Sequence, residues 1–139
     1  MIGYGKRVLV VDDDERERQE TALVLQQAGF MVVLASDGLL ALSKMQQRRF
    51  DAVVTDFHMP NLNGLELAAQ SRLLWPALPV IIFSKGEWDM SEMATAQGAF
   101  GWIRKSSDPD ILLSMLALAL AMEQSAERTS QLPLERVGA

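Results

Sequence analysis

The sequence predicts an α/β fold in which helices cover both faces of one parallel sheet. Two patterns along the 139 residues support this prediction. Five short, almost wholly apolar runs alternate with five helix-like segments, and strands this apolar are typical of a sheet that is buried on both sides. Strict alternation of strand and helix implies right-handed crossover connections, which produce a three-layer sandwich.

Each element is predicted from its local pattern. In chain order these are a strand at 6–11, a helix at 15–28, a strand at 31–34, a helix at 38–48, a strand at 51–55, a helix at 65–74, a strand at 79–83, a helix at 87–97, a strand at 100–103 and a fifth helix. Gly29 and Gly98 end the first and fourth helices. The third ends before Pro76, because the residue before a proline disfavours the α conformation. The fifth begins at an N-cap, Ser107 or Asp108, with Pro109 in its first position.

The composition is that of one soluble globular domain, with 49% apolar and 22% charged residues. A net charge of −5 without a basic cluster argues against direct binding of nucleic acid. The absence of cysteine excludes disulfide and thiolate metal sites and fits a reducing cytoplasm. The amino-terminal segment does not resemble a signal peptide, and the apolar stretch 111–122 is too short to cross a membrane. We expect a cytoplasmic protein without membrane contact, with a domain at 1–124 and a frayed or disordered polar tail at 125–139.

Four of the predicted strands are followed by polar residues that suit phosphoryl chemistry. Asp12 and Asp13 follow the first strand, Asp56 the third, Ser84 the fourth and Lys105 the fifth. The carboxyl ends of parallel strands meet at one edge, where open α/β sheets bind their ligands. The sequence therefore predicts a cluster of carboxylates with one hydroxyl and one ammonium.

The segments that contain these residues resemble, in order and spacing, the four signature segments of the receiver domain of two-component response regulators. They read VLVVDDDERER, DAVVTDFHMPNLNG, PVIIFSKGE and GAFGWIRK. The resemblance covers about residues 6–124. It implies a flavodoxin-like, doubly wound sheet of five parallel strands in the order 2-1-3-4-5. It also implies that a sensor histidine kinase or a phosphotransfer protein donates a phosphoryl group in a phosphorelay.

By this resemblance Asp56 is the phosphoacceptor. Asp12, Asp13, Asp56 and the backbone carbonyl of His58 are the expected ligands of Mg²⁺, an ion that prefers hard oxygen ligands. A carboxylate is a weak nucleophile, but phosphoryl transfer depends more on positioning and charge neutralisation than on basicity. The chain is then not an enzyme beyond accepting its own phosphoryl group and slowly losing it.

The remaining site residues are assigned by the same resemblance. Lys105 and Ser84 are expected to contact the phosphoryl group, and Trp102 occupies the position of an aromatic that turns inward behind the hydroxyl. The alternative is that Trp102 only fills space. Lys85 stands where a small residue is common, and we hypothesise that it slows the access of water and prolongs the phosphorylated state. Ser106 replaces the usual proline, so the Lys105–Ser106 peptide is either cis, at a cost of ~3 kcal/mol, or trans.

The fifth helix carries two apolar stripes, one of which is expected to form an interface. The stripe expected to pack on the sheet is Ile111, Met115, Leu118 and Met122. The stripe expected to point away from it is Leu112, Leu113, Leu116 and Leu120. An exposed apolar stripe typically marks a protein interface. We therefore predict a homodimer or a downstream partner on the face formed by helix four, strand five and helix five.

The sequence leaves three alternatives to a stand-alone receiver. In the first alternative, the chain is a receiver fragment of a longer regulator whose DNA-binding or enzymatic output domain is missing. In the second alternative, the chain is a Mg²⁺-dependent phosphatase with an aspartyl nucleophile. Such enzymes commonly have a second carboxylate two residues after the nucleophile, where this chain has His58. In the third alternative, the chain is an FMN-binding module. The Asp12-Asp13-Asp14 run argues against this alternative, because three carboxylates would repel the phosphate of FMN.

Overall fold

The computed structural model describes residues 2–86 and 88–131 and confirms the alternation of five strands with five helices. In chain order these are β1 (Arg7–Val11), α1 (Glu15–Gln27), β2 (Met31–Ala35), α2 (Gly38–Gln47), β3 (Ala52–Thr55), α3 (Gly64–Leu74), β4 (Val80–Ser84), α4 (Ser91–Ala96), β5 (Gly101–Arg104) and α5 (Pro109–Gln131). Most boundaries lie within one or two residues of the prediction.

The five strands form one parallel sheet in the order β2-β1-β3-β4-β5, as the resemblance implied. The register aligns the carboxyl ends of the central strands, since Val11 pairs with Thr55. Ser84 pairs in turn with Arg104 at the end of β5. The residues that follow β1, β3 and β5 therefore start from the same edge of the sheet.

Two separate hydrophobic cores lie on the two faces of the sheet, because successive strand residues point in opposite directions. The core with α2, α3 and α4 includes Leu9, Val53, Ile82, Ala41, Leu67 and Ala94. The core with α1 and α5 includes Val10, Val54, Ile81, Leu25 and Leu116. Together they form the predicted three layers.

Helix α4 is shorter than the predicted span 87–97. The Asp89 carboxylate accepts hydrogen bonds from the backbone N–H and the hydroxyl of Ser91, at 2.9 and 2.6 Å. An aspartate that caps the backbone two residues later favours a turn, so the helix begins only at Ser91. Glu87, the predicted first residue, lies outside the described residues.

Helix α5 begins at Pro109 as predicted, and the Asp108 carboxylate accepts a hydrogen bond from the Asp110 N–H at 2.9 Å. The helix continues to Gln131, so the first part of the predicted tail, 125–131, is helical. Residues 132–139 lie outside the described residues. The division into a domain at 1–124 and a tail stays a prediction.

The assignment of the two stripes on α5 was wrong. The stripe predicted to point away is the one that packs on the sheet: Leu112, Leu116 and Leu120 are buried, and Leu113 is half-buried. In the stripe predicted to pack on the sheet, Ile111, Leu118 and Met122 are about half exposed, and Met115 is half-buried. Both stripes have helical spacing and similar hydrophobicity, so periodicity alone did not show which one faces the sheet. The four leucines therefore belong largely to the core, and the exposed stripe consists of the other residues.

Candidate phosphoryl-acceptor site

The sheet edge brings the predicted carboxylates together. Carboxylate oxygens of Asp12, Asp13 and Asp56 all lie within 4.8 Å of one another. The Asp56 N–H donates to the carbonyl of Val11 at 2.8 Å, which ties the end of β3 to the end of β1. The strand register, rather than any local turn, therefore creates this cluster.

The three carboxylates differ in their surroundings. Asp12 is almost fully buried, with only 2% of its surface exposed, whereas Asp13 is exposed and Asp56 is half-buried. The Phe57 N–H donates to Oδ1 of Asp56 at 2.8 Å and orients that carboxylate. Asp14 has a different task, because its carboxylate accepts from the Glu17 N–H at 2.9 Å and caps α1. This hydrogen bond lowers the pKa of Asp14.

Lys105 lies within the cluster, and its ammonium is closer to Asp12 than to Asp56. Its Nζ is 2.5 Å from Oδ2 of Asp12 and 3.6 Å from Oδ1 of Asp56. Only 10% of the Lys105 side chain is exposed. The Lys105 N–H donates to the Ser84 carbonyl at 2.8 Å, so β4 fixes where the side chain starts. The ammonium therefore pairs most closely with Asp12 and also lies within ion-pair distance of Asp56.

Burial and charge shift the pKa values of both Asp56 and Lys105. Burial raises the pKa of Asp56 above its ordinary value, the Lys105 ammonium opposes this, and the Asp12 charge adds to it. For Lys105, burial alone would lower the pKa. The hydrogen bond to Asp12 and the charges of the neighbouring carboxylates outweigh burial and raise it. The negative charges therefore crowd each other and hold the lysine in its charged form.

Ser84 and Trp102 lie close to this site. The buried Ser84 hydroxyl oxygen accepts a hydrogen bond from the Gly86 N–H at 3.3 Å, and Ser84 lines the same cleft as Asp56. Trp102 packs against the core beside α3 and α4, with its ring 5.6 Å from that of Phe57, edge to face. Its buried indole N–H has no hydrogen-bond partner. Whether Trp102 moves with Ser84 stays a prediction.

Sequence reasoning missed two residues of α1. Oε1 of Glu17 is 3.4 Å from Nζ of Lys105 and 3.0 Å from Nζ of Lys85. Arg18 donates from Nη1 to the Asp12 carbonyl at 2.8 Å. Both residues lie in the first turns of α1, directly after the segment that contains Asp12. This closeness in sequence to Asp12 is the signal that could have indicated them.

The three aspartates fit a divalent cation. They supply hard carboxylate oxygens at mutual distances suited to a shared ion, and Mg²⁺ is held in proteins by such ligands. The His58 side chain is exposed, and its ring contacts that of Phe57 at 4.5 Å between centroids. The role of its carbonyl as a ligand stays a prediction. In the described part of the chain no peptide bond is cis, so the Lys105–Ser106 bond is trans.

A doubly wound α/β sheet with a carboxylate cluster and a lysine at its carboxyl edge is the arrangement that the resemblance to receiver domains implied. The chain belongs to the response regulator receiver domain family of two-component systems, whose pattern matches residues 8–117. Receiver domains are generally non-catalytic signalling domains. They bind Mg²⁺ at an acidic pocket and interact with histidine kinases or phosphotransfer proteins and with output domains.

Curated relatives support this membership. The chain is 37% identical over 119 residues to the CAI-1 autoinducer sensor kinase/phosphatase CqsS of Vibrio cholerae, covering 82% of this chain and 17% of that protein. It is 34% identical to the transcriptional regulatory protein GlrR of Escherichia coli, covering 89% of this chain and 28% of that protein. The chain thus spans less than a third of the length of either relative.

Solved structures agree with the fold. A receiver domain protein from Clostridium thermocellum matches with a TM-score of 0.81 and 27% identity, covering 87% of this chain and 98% of that one. The response regulator TrrA of Thermotoga maritima, solved in complex with Mg²⁺-BeF, matches with a TM-score of 0.77 and 30% identity, covering 83% and 99%. Among the described residues, no helix combines the length and hydrophobicity needed to cross a membrane.

Proposed function

We propose that Asp56 accepts a phosphoryl group, with Mg²⁺ bound by Asp12, Asp13 and Asp56, and that this switches a protein interaction. The observation that carries the proposal is the carboxylate cluster at the sheet edge with the Lys105 ammonium 3.6 Å from Asp56. A bound Mg²⁺ would neutralise charge on the incoming phosphoryl oxygens.

Each residue of the site has a separate role in the proposed transfer. A carboxylate oxygen of Asp56 forms a bond to phosphorus as the bond from phosphorus to the donor breaks, and the electron pair of that bond leaves with the donor. The Phe57 N–H orients the attacking carboxylate. Lys105 supplies a compact positive charge next to Asp56, and Ser84 offers a hydroxyl donor to a phosphoryl oxygen. Trp102 is proposed to respond to the movement of Ser84.

The output is proposed to be a contact through α4, β5 and α5 with a downstream protein or with a second copy of the chain. This face carries the exposed stripe of Ile111, Leu118 and Met122. Met115 of the same stripe packs against β5, since a Cβ on Gly101 would lie within 2.8 Å of the Met115 methyl carbon. The donor is a sensor histidine kinase or a phosphotransfer protein, and the location is the cytoplasm.

The chain is also proposed as the receiver part of a longer regulator. The observation that favours this second reading is length, because the sensor kinase and the transcriptional regulator it matches are several times longer than the matched segment. In that case the exposed face of α4, β5 and α5 contacts an output domain in the same protein. The phosphoacceptor chemistry is the same in both readings.

A beryllofluoride titration tests the proposed site. Beryllofluoride with Mg²⁺ mimics a phosphoryl group on a carboxylate, and the change in tryptophan fluorescence reports its binding. We expect saturable binding that requires Mg²⁺ and is lost in Asp56→Asn. Binding that persists without Mg²⁺ or in the Asp56→Asn variant would contradict the proposal.

Lys85 is proposed to lengthen the phosphorylated state. Its side chain is 73% exposed and lines the cleft that contains Asp56 and Ser84. A long cation there hinders the approach of water to the phosphorus atom. We expect Lys85→Ala to shorten the lifetime of the phosphorylated isolated domain, measured after removal of the donor. An unchanged lifetime would exclude this role.

A further inference from the structure

Glu17 connects two lysines that differ in how freely they can move. The same oxygen, Oε1, is 3.0 Å from Nζ of Lys85 and 3.4 Å from Nζ of Lys105. Lys105 is 10% exposed and is also held by Asp12 at 2.5 Å. Lys85 is 73% exposed, and Glu17 is the one ion-pair partner that the described contacts give it. Lys85 is therefore the lysine that can move away from Glu17.

The Lys85–Glu17 pair lies on the boundary between two clefts. One cleft of about 410 Å³ contains Asp56 and Ser84 and is the proposed phosphoryl site. A second cleft of about 370 Å³ lies between α1 and the start of α5. Both Glu17 and Lys85 line both clefts. Lys85 therefore needs only to change its side-chain conformation to lie on either side.

The two ends of this pair are anchored differently. The Glu17 backbone is fixed in the first turn of α1 by its N–H bond to the Asp14 carboxylate at 2.9 Å. Its side chain is only 15% exposed. Lys85 begins directly after β4 and has a flexible four-carbon stem. Glu17 is the fixed partner and Lys85 the mobile one.

A phosphoryl group on Asp56 would compete with Glu17 for Lys85. The Lys85–Glu17 pair is weak because the Lys85 ammonium is largely exposed to water, which screens the attraction. A phosphoryl group carries about −1.5 to −2 charges near neutral pH and three strong acceptor oxygens, so it attracts an ammonium more strongly than a single carboxylate does. The balance that keeps Lys85 on Glu17 in the unmodified protein is therefore reversed by the modification.

We propose that Glu17 is a positioning residue that holds Lys85 at the mouth of the acidic cleft and yields it when Asp56 is phosphorylated. This inference rests on the proposed phosphorylation of Asp56. On yielding, the Lys85 ammonium lies against the phosphoryl oxygens and excludes the hydrolytic water. In hydrolysis that water forms a bond to phosphorus while the bond from phosphorus to the Asp56 oxygen breaks, which returns the carboxylate and inorganic phosphate. Glu17 thus sets how much of the time Lys85 protects the phosphoryl group.

The first test removes the charge of Glu17. Glu17→Gln no longer competes for Lys85, so the lifetime of the phosphorylated protein is expected to increase about two- to fivefold, the range expected for a weak ion pair with one exposed partner. The affinity for beryllofluoride with Mg²⁺, followed by tryptophan fluorescence, is expected to rise in the same ratio. Glu20→Gln is the matched control, because Glu20 lies one turn further along α1 and pairs with Arg16 at 3.1 Å. We expect that control to match the wild type.

The second test asks whether the effect passes through Lys85. In a Lys85→Met background, which keeps most of the unbranched side chain but removes its charge, Glu17→Gln is expected to lose more than about half of its effect on both measurements. An effect of Glu17→Gln that is at least half retained in that background would overturn the proposal. So would an unchanged or shortened lifetime of the single variant.

The test separates this inference from the proposed function. If wild-type Asp56 takes no phosphoryl group and binds no beryllofluoride, the proposed function itself fails. If both occur and only the response to Glu17→Gln is absent, the phosphoacceptor role stands and the role of Glu17 fails. Circular dichroism of each variant verifies that it is folded.

Discussion

At the scale of single residues, the surroundings of Asp56 oppose the ionised form of its carboxylate. Burial and the nearby Asp12 charge raise the pKa of Asp56, and Lys105 offsets them only in part because it lies closer to Asp12. A site that crowds carboxylates in this way is destabilised without a cation and stabilised by one. The same crowding makes the site suited to bind a divalent ion.

This crowding predicts how Asp56→Asn changes stability. Because the folded pKa of Asp56 lies above the ordinary value of 3.8, its ionised form lowers the free energy of unfolding at neutral pH. That loss disappears as the pH falls through the raised pKa towards 3.8. In metal-free buffer at pH 7 we expect Asp56→Asn to be more stable than the wild type, because the substitution removes the buried charge. The difference should shrink in acid, as measured by urea denaturation.

Added Mg²⁺ supplies the control for that prediction. A ligand that binds only the folded protein stabilises it by mass action. Mg²⁺ should therefore stabilise the wild type more than Asp56→Asn and reduce or reverse the difference between them. A variant that is less stable than the wild type in metal-free buffer at pH 7 would contradict the assigned crowding.

The residues of the site differ in how far the sequence could predict them. Asp12, Asp13 and Asp56 come directly after strands, so the sheet register alone brings them together. Glu17 reaches Lys85 and Lys105 across 68 and 88 positions of sequence, from helix α1 to the ends of β4 and β5. Only the packing of α1 beside these strands creates that contact, and no local pattern encodes it.

At the scale of elements, α3 is fitted closely to the phosphoacceptor loop. The Gly64 N–H donates to the Phe57 carbonyl at 2.8 Å, and a capping box of Asn63 and Glu66 fixes the start of the helix. A Cβ on Gly64 would lie 2.3 Å from the Asp56 carbonyl oxygen. Since that atom belongs to the backbone, it cannot rotate away. The absence of a side chain at Gly64 thus helps to place Asp56.

Gly64→Ala should therefore disturb both stability and the site. We expect a loss of about 1–3 kcal/mol, the usual cost of overpacking, together with weaker beryllofluoride binding. Gly86→Ala is the matched control, because a Cβ there meets nothing closer than 3.8 Å. Its stability should stay within about 0.5 kcal/mol of the wild type. Equal stability of the two variants in urea denaturation would contradict the close fit of α3.

The orientation of α5 gives a second prediction at this scale. Leu116 is fully buried and Leu118 is 56% exposed, although they are two positions apart on one helix. Leu116→Ala should lower the free energy of unfolding by about 2–5 kcal/mol, whereas Leu118→Ala should change it by less than about 0.5 kcal/mol. The reverse order would restore the orientation first predicted from the sequence. Thermal denaturation of both variants gives the measurement.

The stripes of α5 show the limit of pattern reasoning for whole elements. The sequence identifies the helix and its start at Pro109, because a capping aspartate and a proline are local signals. It offers two apolar stripes of equal quality, and the choice between them depends on how the helix crosses the sheet after β5. Tertiary packing, not helix propensity, decides that choice.

At the scale of the whole molecule, the exposed stripe of α5 predicts an association that depends on phosphorylation. We expect beryllofluoride with Mg²⁺ to promote self-association or partner binding through α4, β5 and α5. Leu118→Glu should weaken this association without unfolding the protein, because Leu118 is not part of the core. Sedimentation velocity provides the measurement. A chain that remains monomeric at high concentration, with and without beryllofluoride, would contradict the homodimer.

The central claim, that Asp56 is the phosphoacceptor, is tested most directly by locating a phosphoryl group on the intact chain. The protein is incubated with acetyl phosphate and Mg²⁺, and mass spectrometry of the intact protein and its peptides identifies the modified residue. We expect one phosphoryl group on Asp56, no modification in the presence of a chelator, and none in Asp56→Asn. Modification of another residue, or modification that survives Asp56→Asn, would contradict it.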